Sequence, residues 1–212
     1  MGLLVLSTAY LAPVEYYIHL YRADQVIIEK QENYTKQTYR NRCVIASANG
    51  LQTLSIPIEK PDLLKCLTRD IRISGHGNWQ HLHWNAIVLA YQSSPFFEYY
   101  ADNFRPFYEQ KPGFLWDFNE QLRELVCRLL DISPSVSYTD EYFSAYPSDA
   151  LDLRETIHPK KEPTISTFKP YYQVFEQKYG FQANVSILDL LCNMGTEAIL
   201  YFNSSPRPNP PR

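Results

Sequence analysis

Glycine is scarce in this chain, with seven in 212 residues. None sits in a Gly-x-Gly-x-x-Gly or P-loop pattern, and no Gly-x-Ser-x-Gly elbow occurs. The usual signatures of dinucleotide binding, nucleoside-triphosphate binding and serine hydrolysis are therefore missing. Cysteine is equally sparse: Cys43, Cys66, Cys127 and Cys192 form no Cys-x-x-Cys or Cys/His pattern. That spacing suggests reduced thiols rather than a structural zinc site or a disulfide framework. Nor is there an excess of one charge. With 20 Lys and Arg against 23 Asp and Glu, the formal charge is −3 and the pI is near 6.0. General affinity for nucleic acid or anionic membrane is thus disfavoured, and any anion site must be a local cluster. No apolar run is long enough to span a bilayer. The stretch from Met1 to Leu11 lacks a basic n-region, and Pro13, Tyr16, Tyr17 and His19 follow it. It reads as a buried first strand of a cytoplasmic protein rather than a signal peptide.

What is present is enough for a core. Hydrophobic residues make up 45% and aromatics 15%, with 17 Tyr and 11 Phe. Leu3 to Leu6 suits a central strand, and Pro13 opens a helix carrying Val14, Tyr17, Ile18 and Tyr21 at helical spacing. Gln25 to Glu29 is a second apolar strand, so a strand–helix–strand unit with parallel pairing is expected. Two β-prone runs, Cys43 to Ala46 and Leu51 to Ile56, flank Asn49-Gly50. This predicts a hairpin in which both turn residues take positive φ. Pro57 and Pro61 end that section, and Ile71 to Ile73 is expected to add a short strand. From Asn78 the pattern becomes helical. Trp79, Leu82, His83, Ala86, Ile87, Ala90 and Tyr91 share one face. An aromatic helix follows from Ser94-Pro95, with Pro106 expected to kink or end it. A third runs from Phe114 to Asp131, with Asp117 and Glu120 at capping-box spacing. Residues 133–170 read as a strand at Val136 to Tyr138 and then a long irregular excursion. Tyr171 to Tyr179 forms a short helix stopped by Gly180, and Ser186 caps a last one. The fold class is α+β: an N-terminal mixed sheet with a strand–helix–strand unit and an Asn-Gly hairpin, then a mostly helical C-terminal half. Residues 1–202 form one domain, and 203–212 are a disordered Pro-rich tail.

The segment from Gln31 to Arg42 stands out for chemistry. It leaves the C-terminal end of a buried strand, where open α/β sheets place ligands. It gathers Lys36, Arg40 and Arg42 with Asn41, Tyr34 and Tyr39. Arg offers a fork of donors matched to carboxylate or phosphate. If residues 39–43 are extended, Arg40 and Arg42 share a face. The plainer reading is a solvated, charged edge of the hairpin. His83 lies on the apolar stripe beside Trp79, so it is either a satisfied core histidine or a general base facing the Arg surface. Glu29 ends the second strand as an ordinary carboxylate or as the orienter of an amine. His76, His81 and His83 have no helical metal-ligand spacing, so no metal is expected. Cys43 lies nearest the basic cluster but sits in an apolar run suited to packing.

In order, the chain shows a first strand, Tyr10-x-x-Pro13, a short helix, Ala23-Asp24 and an apolar strand ending in an acid. Then come Tyr34-x-Lys36, Tyr39-Arg40-Asn41-Arg42, Asn-Gly, and a strand ending in Ile56-Pro57-Ile58. Trp79, His83, Tyr91 with Pro95-Phe96, Asp117-x-Asn119, Pro170-Tyr171 to Phe175 and Ser186 to Asp189 extend the pattern. In this it resembles the WbqC-like family of bacterial surface-polysaccharide gene clusters. It departs from that family at Thr8-Ala9, where Gln-Pro or His-Pro is usual, and at Glu29-Lys30, where an Asp-containing pair is usual.

The resemblance implies a role in O-antigen-type polysaccharide biosynthesis, with acyl or aminoacyl (glycine-type) transfer onto a sugar or sugar nucleotide. On that expectation Tyr10, Tyr34, Lys36, Arg40, Asn41 and Arg42 contact an anionic small molecule, a sugar nucleotide or activated acyl donor. His83 and Glu29 would then move protons, without a cofactor. The alternative is a non-catalytic binding or scaffold protein of the same machinery. Nucleic-acid binding can cite the basic, aromatic segment but runs against the acidic chain.

Overall fold

A computed structural model describes residues 2–60 and 65–206. The first strand, β1 (Leu3–Ser7), is joined through α1 (Val14–Arg22) to β2 (Gln25–Glu29). The two strands pair in parallel, from Leu3 opposite Gln25 to Ser7 opposite Glu29. β5 (Val136–Tyr138) then lies beside β2 and β6 (Leu151–Asp152) beside β1, both parallel, giving the order β5-β2-β1-β6. Because all four strands run the same way, their C-terminal ends meet along one edge. Buried side chains of β1 and β2 such as Leu4, Leu6, Val26 and Ile28 suit a sheet covered on its faces.

The hairpin, β3 (Arg42–Ser47) with β4 (Gly50–Ser55), forms a separate two-stranded antiparallel sheet. Its turn differs from expectation. Ser47 pairs with Gly50, so Ala48 and Asn49 make the turn, and only Gly50 has positive φ (92°). The glycine thus starts the second strand rather than sitting at the turn's centre. The hairpin is tied to the rest by Ser186 N–H donating to the Val44 carbonyl, and the turn before it by Tyr10 N–H donating to that of Tyr39.

The helices α2 (Trp79–Tyr91), α3 (Phe97–Glu109), α4 (Leu115–Leu129) and α6 (Ile187–Met194) follow the apolar patterning, whereas α5 (Glu176–Tyr179) takes only the end of the expected 171–179 helix, so α6 is preceded by a shorter element, and α7 (Ala198–Ser204) falls where no helix is expected. Leu82, placed on the buried face of α2 by spacing, is 60% exposed. Pro106 lies within α3 without ending it, and its carbonyl accepts the closing bond from Gln110 N–H. At the start of α4 no side chain caps, and Glu120 is turned inward instead. Ile71 to Ile73 makes isolated bridges (Ile58–Ile73, Arg72–Phe114) rather than a strand. The Ser186 hydroxyl accepts from Leu188 N–H as a cap should.

Two further corrections concern the C-terminal half. The excursion expected after residue 138 contains β6. The tail expected from residue 203 begins later, since Asn203 and Ser204 close α7 and Ser205 is buried. Arg22 holds this end by donating to the carbonyls of Phe202, Ser205 and Pro206. Pro61 and residues 207–212 lie outside the described residues.

Candidate functional site

The shared C-terminal edge of the parallel sheet carries three buried arginine–carboxylate groupings. Arg40 faces Glu32, Nε to Oε1 at 2.7 Å and Nη2 to Oε2 at 2.5 Å, with Nη2 also 2.9 Å from Ser7 Oγ at the end of β1. Arg154, just past β6, clasps Asp152 with Nε and Nη2 (2.9 and 2.6 Å) and reaches Glu29 at the end of β2 with Nη1 (3.0 Å). Arg123, on α4, donates to Glu120 at 2.8 Å, while Thr8 donates to the other oxygen of that carboxylate at 2.9 Å. A carboxylate in such surroundings is tolerable only when paired and hydrogen-bonded. Burial pushes the Glu32 carboxyl above its usual range, opposed by the bonds and charge of Arg40. For Arg40 the balance tips the other way: burial works against its charge, but Glu32 and Glu155 together raise its pKa.

Little free space is left among these groups. A cleft of about 10 Å³, lined by Ser7, Thr8, Tyr39, Arg40, Leu153 and Arg154, has room for no more than one water. The Tyr142 and Tyr146 rings lie over the Arg154 guanidinium at 5.3 and 4.9 Å, and its Nη1 also binds the Phe143 carbonyl. The loop after β5 is thereby fastened to the sheet edge.

Directly after Arg154 the chain turns outward. The Glu155 carboxylate lies 3.3 Å from Arg40, and its side chain is 68% exposed. His158, half-buried, accepts from Lys160 N–H at Nδ1 (3.1 Å), so its neutral form carries the proton on Nε2. Burial lowers its pKa and the charges of Lys161, Lys160 and Arg40 add to this, with Glu155 opposing. Lys160 Nζ is fastened to Gln37 Oε1 at 2.7 Å, holding this segment against the 36–42 turn.

The residues singled out by sequence divide accordingly. Glu29 and Arg40 do reach the edge, linked through Arg154 and Ser7, but both are spent on internal bonds. Residues 36–41 form a turn rather than an extended strand, so Arg40 and Arg42 do not share a face as expected. Arg42 is half-buried at the start of β3, and its Nε is buried without a partner. Lys36 is exposed on the turn. Asn41 is a strut, its Nδ2 donating to the Ile56 carbonyl while its own carbonyl takes Ile56 N–H. Tyr34 is half-buried, and burial raises its pKa against the charges of Arg42 and Arg40.

Tyr10 and His83 belong to the core. The Tyr10 hydroxyl is 3.0 Å from His83 Nδ1 and 2.8 Å from the Tyr108 hydroxyl. Trp79 stands edge-on to the His83 ring at 5.1 Å. Burial lowers the His83 pKa to about 4, partly offset by a bond to the Ser55 main chain. Its Nδ1 is taken up by the Tyr10 hydroxyl, so the ring is committed to this core network. Burial also raises the Cys43 thiol far above its usual range, as packing requires. Among the described residues no three His, Cys, Asp or Glu side chains cluster so as to hold a metal ion, and no helix is long and apolar enough to cross a membrane.

Sequence reasoning missed Ser7, Thr8, Glu32, Glu120, Arg123, Arg154, Glu155 and His158. Glu32 lies inside the Gln31 to Arg42 segment, where nothing local marks it as the partner of Arg40. Arg154, Glu155 and His158 lay in a stretch whose composition reads as loop, and only the pairing of β6 gives them a place.

The sequence profile of the WbqC-like protein family matches residues 8–161, a span that includes every one of these edge residues except Ser7. The uncharacterised protein Rv1507c of Mycobacterium tuberculosis is 28% identical over 203 residues, covering 84% of this chain and 87% of the relative. No solved structure matches the chain.

Proposed function

The chain belongs to the WbqC-like protein family, and on that footing we propose that it is a cytoplasmic protein of bacterial surface-polysaccharide (O-antigen-type) biosynthesis. In this reading it transfers an acyl or aminoacyl group, such as glycyl, onto a sugar or sugar nucleotide at the sheet edge. The observation that supports it is the exposed Glu155 carboxylate beside Arg40, with the half-buried His158 three residues further on. These titratable groups stay open to solvent where the parallel strands end, which is where ligands meet such sheets. The Glu155 carboxylate takes the proton of the acceptor hydroxyl or amine as its oxygen or nitrogen bonds the acyl carbon. The His158 Nε2–H donates a hydrogen bond to the developing oxyanion. When the bond to the donor's leaving atom breaks, Glu155 returns the proton to that atom.

The test is a strain lacking the gene, with its surface polysaccharide analysed by mass spectrometry. Loss of an acyl or aminoacyl substituent is expected, restored by the wild-type gene and not by Glu155→Gln. An unchanged polysaccharide sinks the role altogether. One observation favours the second reading, a non-catalytic binding or scaffold protein: the edge cleft has room for only about one water. Full restoration by both Glu155→Gln and His158→Ala would select it.

A further inference from the structure

α4 presents two faces to two different places. Asn119, Glu120 and Arg123 turn toward Arg40 and Thr8. Asp117, Phe118 and Gln121 turn the other way, into a cleft of about 410 Å³ in the crook between the end of α3 and the start of α4. That volume is in the range of small-molecule sites, roughly 300–1,000 Å³. No residue lining it lines the edge cleft.

The crook is held open by bonds behind it. Gln80 Nε2 donates to the carbonyls of Phe107 (3.3 Å) and Gln110 (2.5 Å), fixing the last turn of α3. Ile73 N–H binds the Gly113 carbonyl and Leu115 N–H that of Ile71, zipping the connecting loop to the 71–73 segment. The Arg72 guanidinium lies 4.6 Å from the centre of the Phe114 ring, and Phe107 packs edge-on against Phe118. The walls are therefore set before anything enters.

Into this crook project four exposed polar side chains, Gln110, Lys111, Asp117 and Gln121, none of which makes a side-chain hydrogen bond or ion pair among the described residues. Asp117 sits in the first turn of α4 yet caps nothing. An ammonium, a carboxylate and two carboxamides thus stand beside walls of Pro106, Phe107 and Phe114 without being committed to one another. A pyranose has the converse anatomy: an apolar face of C–H groups, and a rim of hydroxyls that both donate and accept. An extended anion would meet the Asp117 carboxylate, and a purely apolar ligand would strand the four polar groups.

We propose that this cleft binds a hexopyranose, its C–H face against the Phe107 and Phe114 wall and adjacent hydroxyls shared between Asp117 and Gln121, with Lys111 donating to a third. Because the two clefts have no residue in common, this assignment stands or falls apart from the transfer reaction.

The test uses the full chain with methyl α-D-glucopyranoside, methyl β-D-galactopyranoside and methyl α-D-mannopyranoside as probes, by saturation-transfer NMR and calorimetry. At least one probe is expected to bind, and Asp117→Ala, an exposed position, to weaken it about tenfold or more, the effect of losing one charge-assisted hydrogen bond. Gln121→Ala should weaken it less, and Glu124→Gln, on the same helix but outside the crook, should leave it unchanged. Circular dichroism of each variant separates lost binding from lost fold. Absence of saturation transfer from all three glycosides overturns the proposal, as does binding that survives Asp117→Ala and Gln121→Ala combined, or binding of inorganic phosphate in place of every glycoside.

Discussion

Two polar networks lie inside this protein at similar depth and are built on opposite chemistry. At the sheet edge, Arg40 and Glu32 are 3% and 4% exposed and meet as full charges. Beneath the hairpin, Tyr10 and His83 are 0% and 6% exposed and meet as neutral groups, in a relay of hydroxyls ending on an imidazole nitrogen. The charged network is all-or-nothing, since either partner alone is an uncompensated buried ion. The neutral one degrades bond by bond, and its weak point is a proton rather than a partner. The first therefore sits where a ligand's charge could act on it, and the second where packing alone matters.

The severest way to break the contrast is to remove one charge from the edge. Glu32→Gln leaves Arg40 buried with only Ser7 and the exposed Glu155, and should cost about 3–5 kcal/mol of unfolding free energy in urea titration. A loss below about 1 kcal/mol would mean that the pair is better solvated than its burial implies.

Acid should single out the neutral network. His83 in the fold has its pKa lowered to about 4, against about 6.5 unfolded, and buried His19, bonded to Thr164, is lowered to the same value. Between those limits the unfolded chain holds more protons, so stability is complete above pH 6.5 and falls as the pH drops toward 4. Each histidine contributes up to about 3 kcal/mol to that loss. His83→Gln should flatten part of the stability-versus-pH curve in this window, and an unchanged slope would show His83 to be ionised in the fold.

The mildest test removes a single neutral bond. Tyr108→Phe deletes the hydroxyl next to Tyr10 but leaves Tyr10 bonded to His83, and should cost about 1 kcal/mol in thermal unfolding. A cost matching that of Glu32→Gln would erase the distinction between the networks.

How much of this was legible in the chain follows from how local each signal is. The β1–α1–β2 unit could be read because its apolar runs, Pro13 and the connecting helix all lie within thirty residues of one another. Ser186 could be read because a cap is a one-turn device. β6 could not, since Leu151–Asp152 is two residues long and becomes a strand only because β1 offers an unpaired edge. Glu120 was read as part of a cap because its spacing fits one, while its partners Thr8 and Arg123 lie on a strand end and a helix face brought together by the fold. For His83 the stripe was legible, and the choice between a core histidine and a base was not. Periodicity could place it beside Trp79 but could not show that Tyr10, far earlier in the chain, would saturate its Nδ1.

The strand order β5-β2-β1-β6 puts the two oldest strands in the middle and the two youngest at the rims. A ribosome delivers β1 and β2 early and adjacent, so their pairing needs only a short loop to close. Glu29 is then already in place at the end of β2, while its guanidinium partner, Arg154, is more than a hundred codons away. Until Arg154 is made, the Glu29 carboxylate lacks the guanidinium that pairs with it in the fold. The edge on which the proposed chemistry depends is complete only when the segment reaching Glu155 has emerged.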